Sequence, residues 1–188
     1  MTESDIRFGV FVPPQHPLTE NPTLLFDLEV ISMCDRLGFD EAWVGEHYSG
    51  GVETIASPEI VIAVAAERTK HIRLGTGVRS LPYSHPFSVA NSIVQLDHMT
   101  RGRVMLGVGP GALPIDAIQT GIDPTQTREM MEQSLEAIVR LLAGERVTMK
   151  TDWFELCDAK LQIAPYTKPR MEMAITNVRS PAGAMLAG

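Results

Sequence analysis

The segment IRLGTGVRSLPYSHPFSVANSIVQLDHMTRGRVMLGVG, residues 72–109, decides the fold of this chain. It begins and ends with short apolar runs that contain β-branched residues and glycine, which are typical of buried strands. Between these runs Val89 and Ile93 lie four residues apart, as on the apolar face of a helix. His85 and Pro86 supply a helix start, because proline fits the first turn without losing a hydrogen bond. The segment therefore predicts a strand, a helix and a second strand parallel to the first.

Similar strand-like runs recur along the chain at a nearly constant interval. They occupy residues 6–12, 39–45, 72–78 and 104–109. Their first residues are 33, 33 and 32 positions apart. A fifth core strand is predicted at 171–176, after a β-hairpin at 146–159 that interrupts the repeat. Right-handed βα units of this length either close into a barrel or spread into an open doubly wound sheet, and the lengths alone do not choose.

Helices are predicted between these strands from start and stop signals. Asn21 and Ser57, each followed by proline, precede residues with helical apolar spacing. Gly38 supplies the left-handed residue that ends the first helix. A further helix is predicted at about 125–142.

The length of the chain bears on the barrel interpretation. A complete eightfold barrel needs about 250 residues, whereas this chain has 188. We therefore expect residues 1–188 to form a single domain, the amino-terminal portion of a (β/α)8 barrel, with about five βα units plus the hairpin. Roughly three units would then follow after residue 188.

Composition argues against several classes of protein. The net charge of −7 and the pI near 5.2 disfavour binding to nucleic acid. No apolar run is long enough to span a bilayer and no signal peptide opens the chain, so we expect a cytoplasmic protein. Cys34 and Cys157 form no metal-binding or redox motif, and the histidines lack metal-ligand spacing, so we predict no metal site.

His47 is the strongest candidate for acid–base catalysis. It follows the second strand, and active sites of parallel α/β folds lie at the carboxyl ends of the strands. Histidine is suited to proton transfer at neutral pH. Position alone equally allows an imidazole that only hydrogen-bonds a neighbouring strand end. The adjacent Glu46 either orients this imidazole or pairs with a basic group elsewhere, and we favour a structural role for it.

Glycines mark the ends of the third and fourth strands. Gly77 would let a flat ring system lie against the main chain, with Val78 below the ring, or else it only marks a bulge. Gly109 lies within GVGPG, residues 107–111, which lacks the immediate helix of a dinucleotide-binding turn. This run predicts either a close approach of the main chain to a planar ligand or a tight turn.

The residues that follow the fifth strand suit a phosphate group. Asn177 and Ser180 precede a helical segment with Pro181 in its first turn. Hydroxyl and main-chain N–H groups would therefore point at one place. The pattern indicates a phosphate-bearing cofactor, with simple capping of the helix by Ser180 as the alternative.

Three segments, LGFDEAWVGEHY (37–48), the stretch 72–111, and QIAPYTKPRMEMAITNVRS (162–180), together resemble the bacterial luciferase-like flavin monooxygenases. The most specific block runs from Leu81 to Arg103. Within the family the sequence is more similar to the limonene and alkane monooxygenases than to the light-emitting subunits.

The resemblance implies a (β/α)8 barrel that is usually dimeric. Such a protein accepts reduced FMN from a separate flavin reductase and uses dioxygen to oxygenate a small organic substrate. It also implies roles for individual positions. His47 matches the family's catalytic base or peroxide stabiliser, and Gly77 with Val78 matches a pair, often joined by a non-prolyl cis peptide, that supports the isoalloxazine ring. The matches to contacts with the ribityl chain and phosphate are Thr176, Asn177 and Ser180.

Two departures from the light-emitting members are visible. Tyr48 stands where they have a second histidine, so we do not expect aldehyde luciferase chemistry. Pro110 stands where they have an arginine near the phosphate, so we expect phosphate binding to rely on other groups. Two alternatives to an FMN-dependent monooxygenase remain open. One is a deazaflavin (F420)-dependent dehydrogenase or reductase on the same barrel, and the other is a non-catalytic flavin-binding subunit.

Overall fold

A computed structural model describes residues 6–12, 23–51 and 53–176 of the chain. Within them the core strands are β1 (Gly9–Val12), β2 (Glu41–Val44), β3 (Arg73–Thr76), β4 (Arg79–Ser80), β5 (Val104–Gly109) and β8 (Met173–Ile175). The helices are α1 (Thr23–Leu37), α2 (Pro58–Arg68), α3 (Pro86–Thr100), α4 (Pro114–Gln119) and α5 (Thr127–Leu142). An antiparallel hairpin consists of β6 (Val147–Lys150) and β7 (Glu155–Ala159).

Strand order decides between the two predicted architectures. Strand β1 pairs with β2, β2 with β3, β3 with β5, and β5 with β8, all in parallel. The order in the sheet therefore follows the order in the chain. A doubly wound sheet reverses its order near the middle, whereas a barrel does not. The described part of the chain thus has the strand order of a (β/α)8 barrel, as predicted.

Strands β3 and β4 are two parts of one barrel strand, separated by a bulge. Leu74 is in register with Val104, and Arg79 is in register with Val108. Five residues of the first strand therefore correspond to only four of β5. The extra residue lies in the 76–78 region, where the Gly77–Val78 peptide is cis. The bulge predicted as one interpretation of Gly77 is confirmed.

The helices pack on the outer face of the sheet. Helices α1 and α2, α2 and α3, and α3 and α5 contact one another in turn. The apolar face predicted for α3 is confirmed, because Val89, Ile93, Val94 and Leu96 are all buried. None of the helices in the described part of the chain is both long and apolar enough to cross a bilayer.

The indole of Trp43 occupies the inner face of the sheet next to strand positions that lack side chains. A Cβ on Gly75 would lie 2.4 Å from this ring, and one on Gly107 would lie 3.1 Å from it. A side chain on Gly107 would also clash with the main chain, since a Cβ there would lie 2.0 Å from the carbonyl oxygen of Thr76. The glycines of these strands therefore make room for an aromatic ring and for a close approach of two strands.

The helix boundaries agree with the sequence in part. His85 caps α3, its ring accepting a hydrogen bond from the main-chain N–H of Phe87 at 3.3 Å, and Gly38 has the predicted left-handed conformation with φ of 82°. Ser57 stands at the N-cap of α2, but its side chain makes no capping hydrogen bond. The start predicted at Asn21 lies outside the described residues. The sequence interpretation did not predict α4 or the short 3-10 turn Leu81–Tyr83.

The block of sequence that carries the strongest family resemblance contains residues that hold the fold together. Asp97 is fully buried and accepts hydrogen bonds from the main-chain N–H of Thr167 at 2.8 Å and from its hydroxyl at 2.7 Å. Arg103 donates to the carbonyl oxygens of Ala66 and Ile72, at 2.9 and 3.0 Å. These contacts fix the segment before β8 to α3 and the end of α2 to the start of β5.

We expect Gly107→Ala to destabilise the fold strongly. Its new methyl group would meet main-chain atoms, which cannot rotate away, so the free energy of unfolding should fall by about 3 kcal/mol. Urea unfolding followed by circular dichroism measures the change. Gly45→Ala is the matched control, because its Cβ would make only ordinary contacts of 3.6 Å or more. Equal stability of the two variants would contradict the close strand approach.

Candidate active site

The predicted residues at the ends of three strands come together. A Cβ on Gly109 would lie 2.7 Å from Cγ2 of Val78 and 2.8 Å from Cγ2 of Thr176. The main-chain N–H of Thr176 donates to the carbonyl of Val108 at 3.0 Å, which places it directly after β8. Gly109 itself belongs to β5 and not to a turn. Its missing side chain admits Val78 and Thr176, so these three predicted positions form one cluster.

The second strand brings His47 to the same end of the sheet. A Cβ on Gly45 would lie 3.7 Å from the carbonyl oxygen of Gly77 and 4.0 Å from a carboxylate oxygen of Glu53. That same oxygen of Glu53 lies 2.9 Å from Nε2 of His47. His47 and Gly77 thus share one opening at the carboxyl ends of the strands. The other two predicted residues, Asn177 and Ser180, lie outside the described residues.

The imidazole of His47 lies between two carboxylates. Its Nδ1 is 3.1 Å from Oδ2 of Asp116, and its Nε2 is 2.9 Å from Oε2 of Glu53. The main-chain N–H of His47 donates to the carbonyl of Ile55 at 2.9 Å. Both ring nitrogens can donate at the same time only in the imidazolium form. The ring thus contacts two acidic side chains. The alternative, an imidazole that only hydrogen-bonds a neighbouring strand end, does not match these contacts.

Sequence reasoning missed both acidic partners of His47. Asp116 lies in α4, a helix that was not predicted, and its side chain is 2% exposed. Its second oxygen accepts a hydrogen bond from the hydroxyl of Ser49. Glu53 lies in the connection between β2 and α2, where no periodic pattern marks a residue. The only available signal was that both residues closely follow strand ends.

Glu46 has the structural role that we favoured. Its side chain is 1% exposed and does not bond the imidazole of His47. It pairs with the guanidinium of Arg79 and accepts hydrogen bonds from the main-chain N–H of Ser80 at 2.6 Å and the hydroxyl of Tyr48 at 3.0 Å. The basic group that the sequence left unidentified is therefore Arg79, and the pair joins the end of β2 to β4.

Arg79 also contacts a second carboxylate. Its Nε lies 2.8 Å from Oε1 of Glu59, and another guanidinium nitrogen donates to the hydroxyl of Ser84. Burial lowers the pKa of Arg79 to about 10, so the guanidinium stays charged at neutral pH. Burial raises the pKa of Glu59 above its ordinary value, although Arg79 lies beside it. One buried cation thus holds two carboxylates beneath the opening.

Two tyrosines border this cluster. The rings of Tyr48 and Tyr83 have centroids 5.5 Å apart, and burial raises the pKa of both phenols. A Cβ on Gly111 would lie 2.1 Å from the hydroxyl oxygen of Tyr83, and Gly111 has a φ of 90°. Residue 111 is glycine for two reasons: its φ is in the left-handed region, and a side chain would clash with Tyr83. This explains the third glycine of the GVGPG run.

The chain is similar to known proteins along most of its length. The model of the luciferase-like monooxygenase family matches residues 6–188. The chain is 54% identical over 186 residues to 4-hydroxyprotoasukamycin monooxygenase of Streptomyces nodosus subsp. asukaensis, covering 97% of this chain and 50% of that protein. It is 51% identical over 185 residues to limonene 1,2-monooxygenase of Rhodococcus erythropolis, covering 97% and 47%. The chain thus spans about half the length of these relatives.

A solved structure shows the same fold. It is the oxygenating constituent of 3,6-diketocamphane monooxygenase from Pseudomonas putida, a type II Baeyer–Villiger monooxygenase in complex with FMN. The TM-score is 0.82 at 24% identity, over 90% of this chain and 50% of that one. The similarity supports the barrel architecture assigned from the strand order.

We expect Arg79→Met to destabilise the protein by about 3–5 kcal/mol, because Glu46 would remain as a buried carboxylate without its cation. The double variant Arg79→Met with Glu46→Gln should recover most of this loss. Urea unfolding of the single and double variants measures the coupling. Additive losses would show that the two side chains do not depend on each other.

Proposed function

Since the chain belongs to the luciferase-like monooxygenase family, we propose that it supplies the proton-transfer half of a flavin-dependent monooxygenase site. The observation that carries this proposal is the position of His47. Its imidazole shares an opening with the main chain of Gly77 and the Val78–Gly109–Thr176 cluster, the positions that the family resemblance assigns to the flavin. An acid–base group and a surface for a ring system would then face each other.

The described residues fit a flat cofactor on the evidence of their packing. A Cβ on Gly45 would make only ordinary contacts, at 3.6 Å with Phe11 and 3.7 Å with the Gly77 carbonyl oxygen. Phe11 is 54% exposed, so an aromatic face is open beside this position. A methyl-sized group therefore fits beside the main chain here without a clash. We propose that Gly77, Val78 and Gly109 contact the ring, and that Thr176, Asn177 and Ser180 contact the ribityl chain and phosphate.

The cofactor that we propose is reduced FMN, and the solved structure of the oxygenating constituent of 3,6-diketocamphane monooxygenase, in complex with FMN, supports this choice. Reduced FMN would supply two electrons to dioxygen, so that one oxygen atom enters the substrate and the other leaves as water. The protein's part is to bind, to orient and to move protons. Nε2 of His47, on the open side of the ring, would donate a proton to an oxygen atom held at the opening and later recover it.

We further propose the substrate class and the partners. The two relatives that are more than half identical to this chain are named for oxygenation of organic molecules, and one of these molecules is the hydrocarbon limonene. A small, largely apolar organic substrate fits that similarity. The diketocamphane enzyme has a distinct oxygenating constituent, which supports a separate flavin reductase as partner. A homodimer and a cytoplasmic location remain predictions.

We expect His47→Ala to lower the turnover of limonene by about 10²-fold or more, because a positioned acid–base group contributes rate enhancement of that order. The assay uses the complete protein, reduced FMN from a flavin reductase and ¹⁸O₂, and mass spectrometry measures the labelled product. FMN affinity should change little. His71→Ala is the matched control, because His71 is exposed and precedes the amino end of β3. Unchanged turnover in His47→Ala would remove the catalytic role.

The cofactor can be tested separately from the reaction. We expect the complete protein to bind FMN more tightly than F420 in fluorescence titrations. Gly45→Val should weaken FMN binding about tenfold or more, because its side chain would fill the space beside the Gly77 carbonyl oxygen. Thermal unfolding checks that the variant stays folded. Tighter binding of F420 than of FMN would instead indicate a hydride-transferring dehydrogenase or reductase.

A further inference from the structure

The two carboxylates that contact His47 differ in burial and in their other contacts. The Asp116 side chain is 2% exposed, and both of its oxygens are engaged, one by Nδ1 of His47 and one by the hydroxyl of Ser49. The Glu53 side chain is 24% exposed, and among residues 6–12, 23–51 and 53–176 its one polar contact is with Nε2 of His47. Asp116 is thus held by two groups, whereas Glu53 is held by one and is partly open to solvent.

We propose that these carboxylates have different roles toward His47, an inference that rests on the proposed function. Asp116 is a positioning residue that fixes the imidazole through Nδ1. Glu53 is a proton-exchange residue that returns a proton from solvent to Nε2 between turnovers.

The anchoring role of Asp116 follows from its place in the fold. Its main-chain N–H donates to the carbonyl of Leu113 at 3.1 Å, in the first turn of α4. Ser49 lies in the loop after β2, so the Asp116 carboxylate ties that loop to α4. A carboxylate that accepts the Nδ1 proton selects the ring state in which Nε2 is the nitrogen available for exchange, and it stabilises the imidazolium.

The exchange role of Glu53 follows from geometry and exposure. An acid catalyst at Nε2 loses its proton to the reacting oxygen in one half of the cycle and must regain one before the next turnover. Glu53 occupies Nε2 at 2.9 Å, so it has to yield that position when a substrate oxygen is bound. When the product has left, the same contact carries a proton from water through the Glu53 carboxylate to Nε2. His47 thereby regains the proton that it donated.

The charges around the imidazole are consistent with this division. The groups that face His47 are Asp116 and Glu53, with the phenols of Tyr48 and Tyr83 nearby. The negative charge of Asp116 contributes to the raised pKa of both tyrosines, after the larger effect of burial. Both phenols therefore stay neutral at physiological pH and do not compete with Glu53 as proton acceptors.

The anchoring role is tested without cofactor or substrate. Long-range ¹H–¹⁵N spectra of histidine-labelled protein report which ring nitrogens carry a proton. We expect one ring state of His47 with Nδ1 protonated in the parent protein, and a mixture of ring states in Asp116→Asn. Asp123→Asn is the matched control, since Asp123 is exposed, follows the same helix and accepts hydrogen bonds from Thr125 through its carboxylate. An unchanged His47 spectrum in Asp116→Asn would overturn the anchoring role.

The exchange role is tested by turnover and by rescue. With limonene, reduced FMN and dioxygen, we expect Glu53→Gln to lower kcat about tenfold or more without raising KM, and formate or acetate in the buffer to restore kcat. Asp116→Asn should lose kcat by about 10²-fold and gain nothing from these acids. A Glu53→Gln variant with parental kcat, or one insensitive to buffer acid, would overturn the exchange role. Full activity of His47→Ala would instead refute the proposed function.

Discussion

The hydrogen bonds between Thr76 and Gly107 are the contact on which the site depends. The regular ladder between β3 and β5 stops after Gly75 and resumes only at Arg79. Across this gap the buried hydroxyl of Thr76 donates to the carbonyl of Gly107 at 2.7 Å and accepts from its N–H at 3.0 Å. A side-chain bridge thus replaces the main-chain ladder where the strand bulges. It keeps the Gly77–Val78 peptide at the sheet and sets Val78 against Gly109.

Beneath the opening, charge is organised in two separate groups. Arg79 binds Glu46 and Glu59, whereas His47 binds Asp116 and Glu53. The first group is held by a guanidinium that remains protonated at neutral pH, so it is suited to joining strand ends. The second contains an imidazole, the type of side chain that ordinarily gains and loses protons near neutral pH. Two carboxylates therefore bind a structural cation on one side, and two contact the imidazole for which we propose proton transfer on the other.

Much of the fold could be predicted from the sequence, whereas only part of the site could. Strand positions and the helix start at His85 follow from local patterns, which tertiary contacts here reinforce. Local patterns also placed His47, Gly77, Val78 and Gly109 at strand ends. They could not reveal Asp116 or Glu53, because these residues lie in a short helix and an irregular loop whose partners are distant in sequence. The block with the most specific family resemblance includes Asp97 and Arg103, whose hydrogen bonds join elements of the fold to one another.

The order of strands also separates Glu53 from the place proposed for phosphate. His47 and Glu53 follow β2, while Thr176 follows β8, and strand β3 with its continuation and strand β5 lie between them. Neighbouring strands are about 4.8 Å apart, so the two sides of the opening are about 14 Å from each other. Charges at that distance interact weakly across a solvated opening. Glu53 and a phosphate bound near Thr176 can therefore share this barrel mouth without opposing each other.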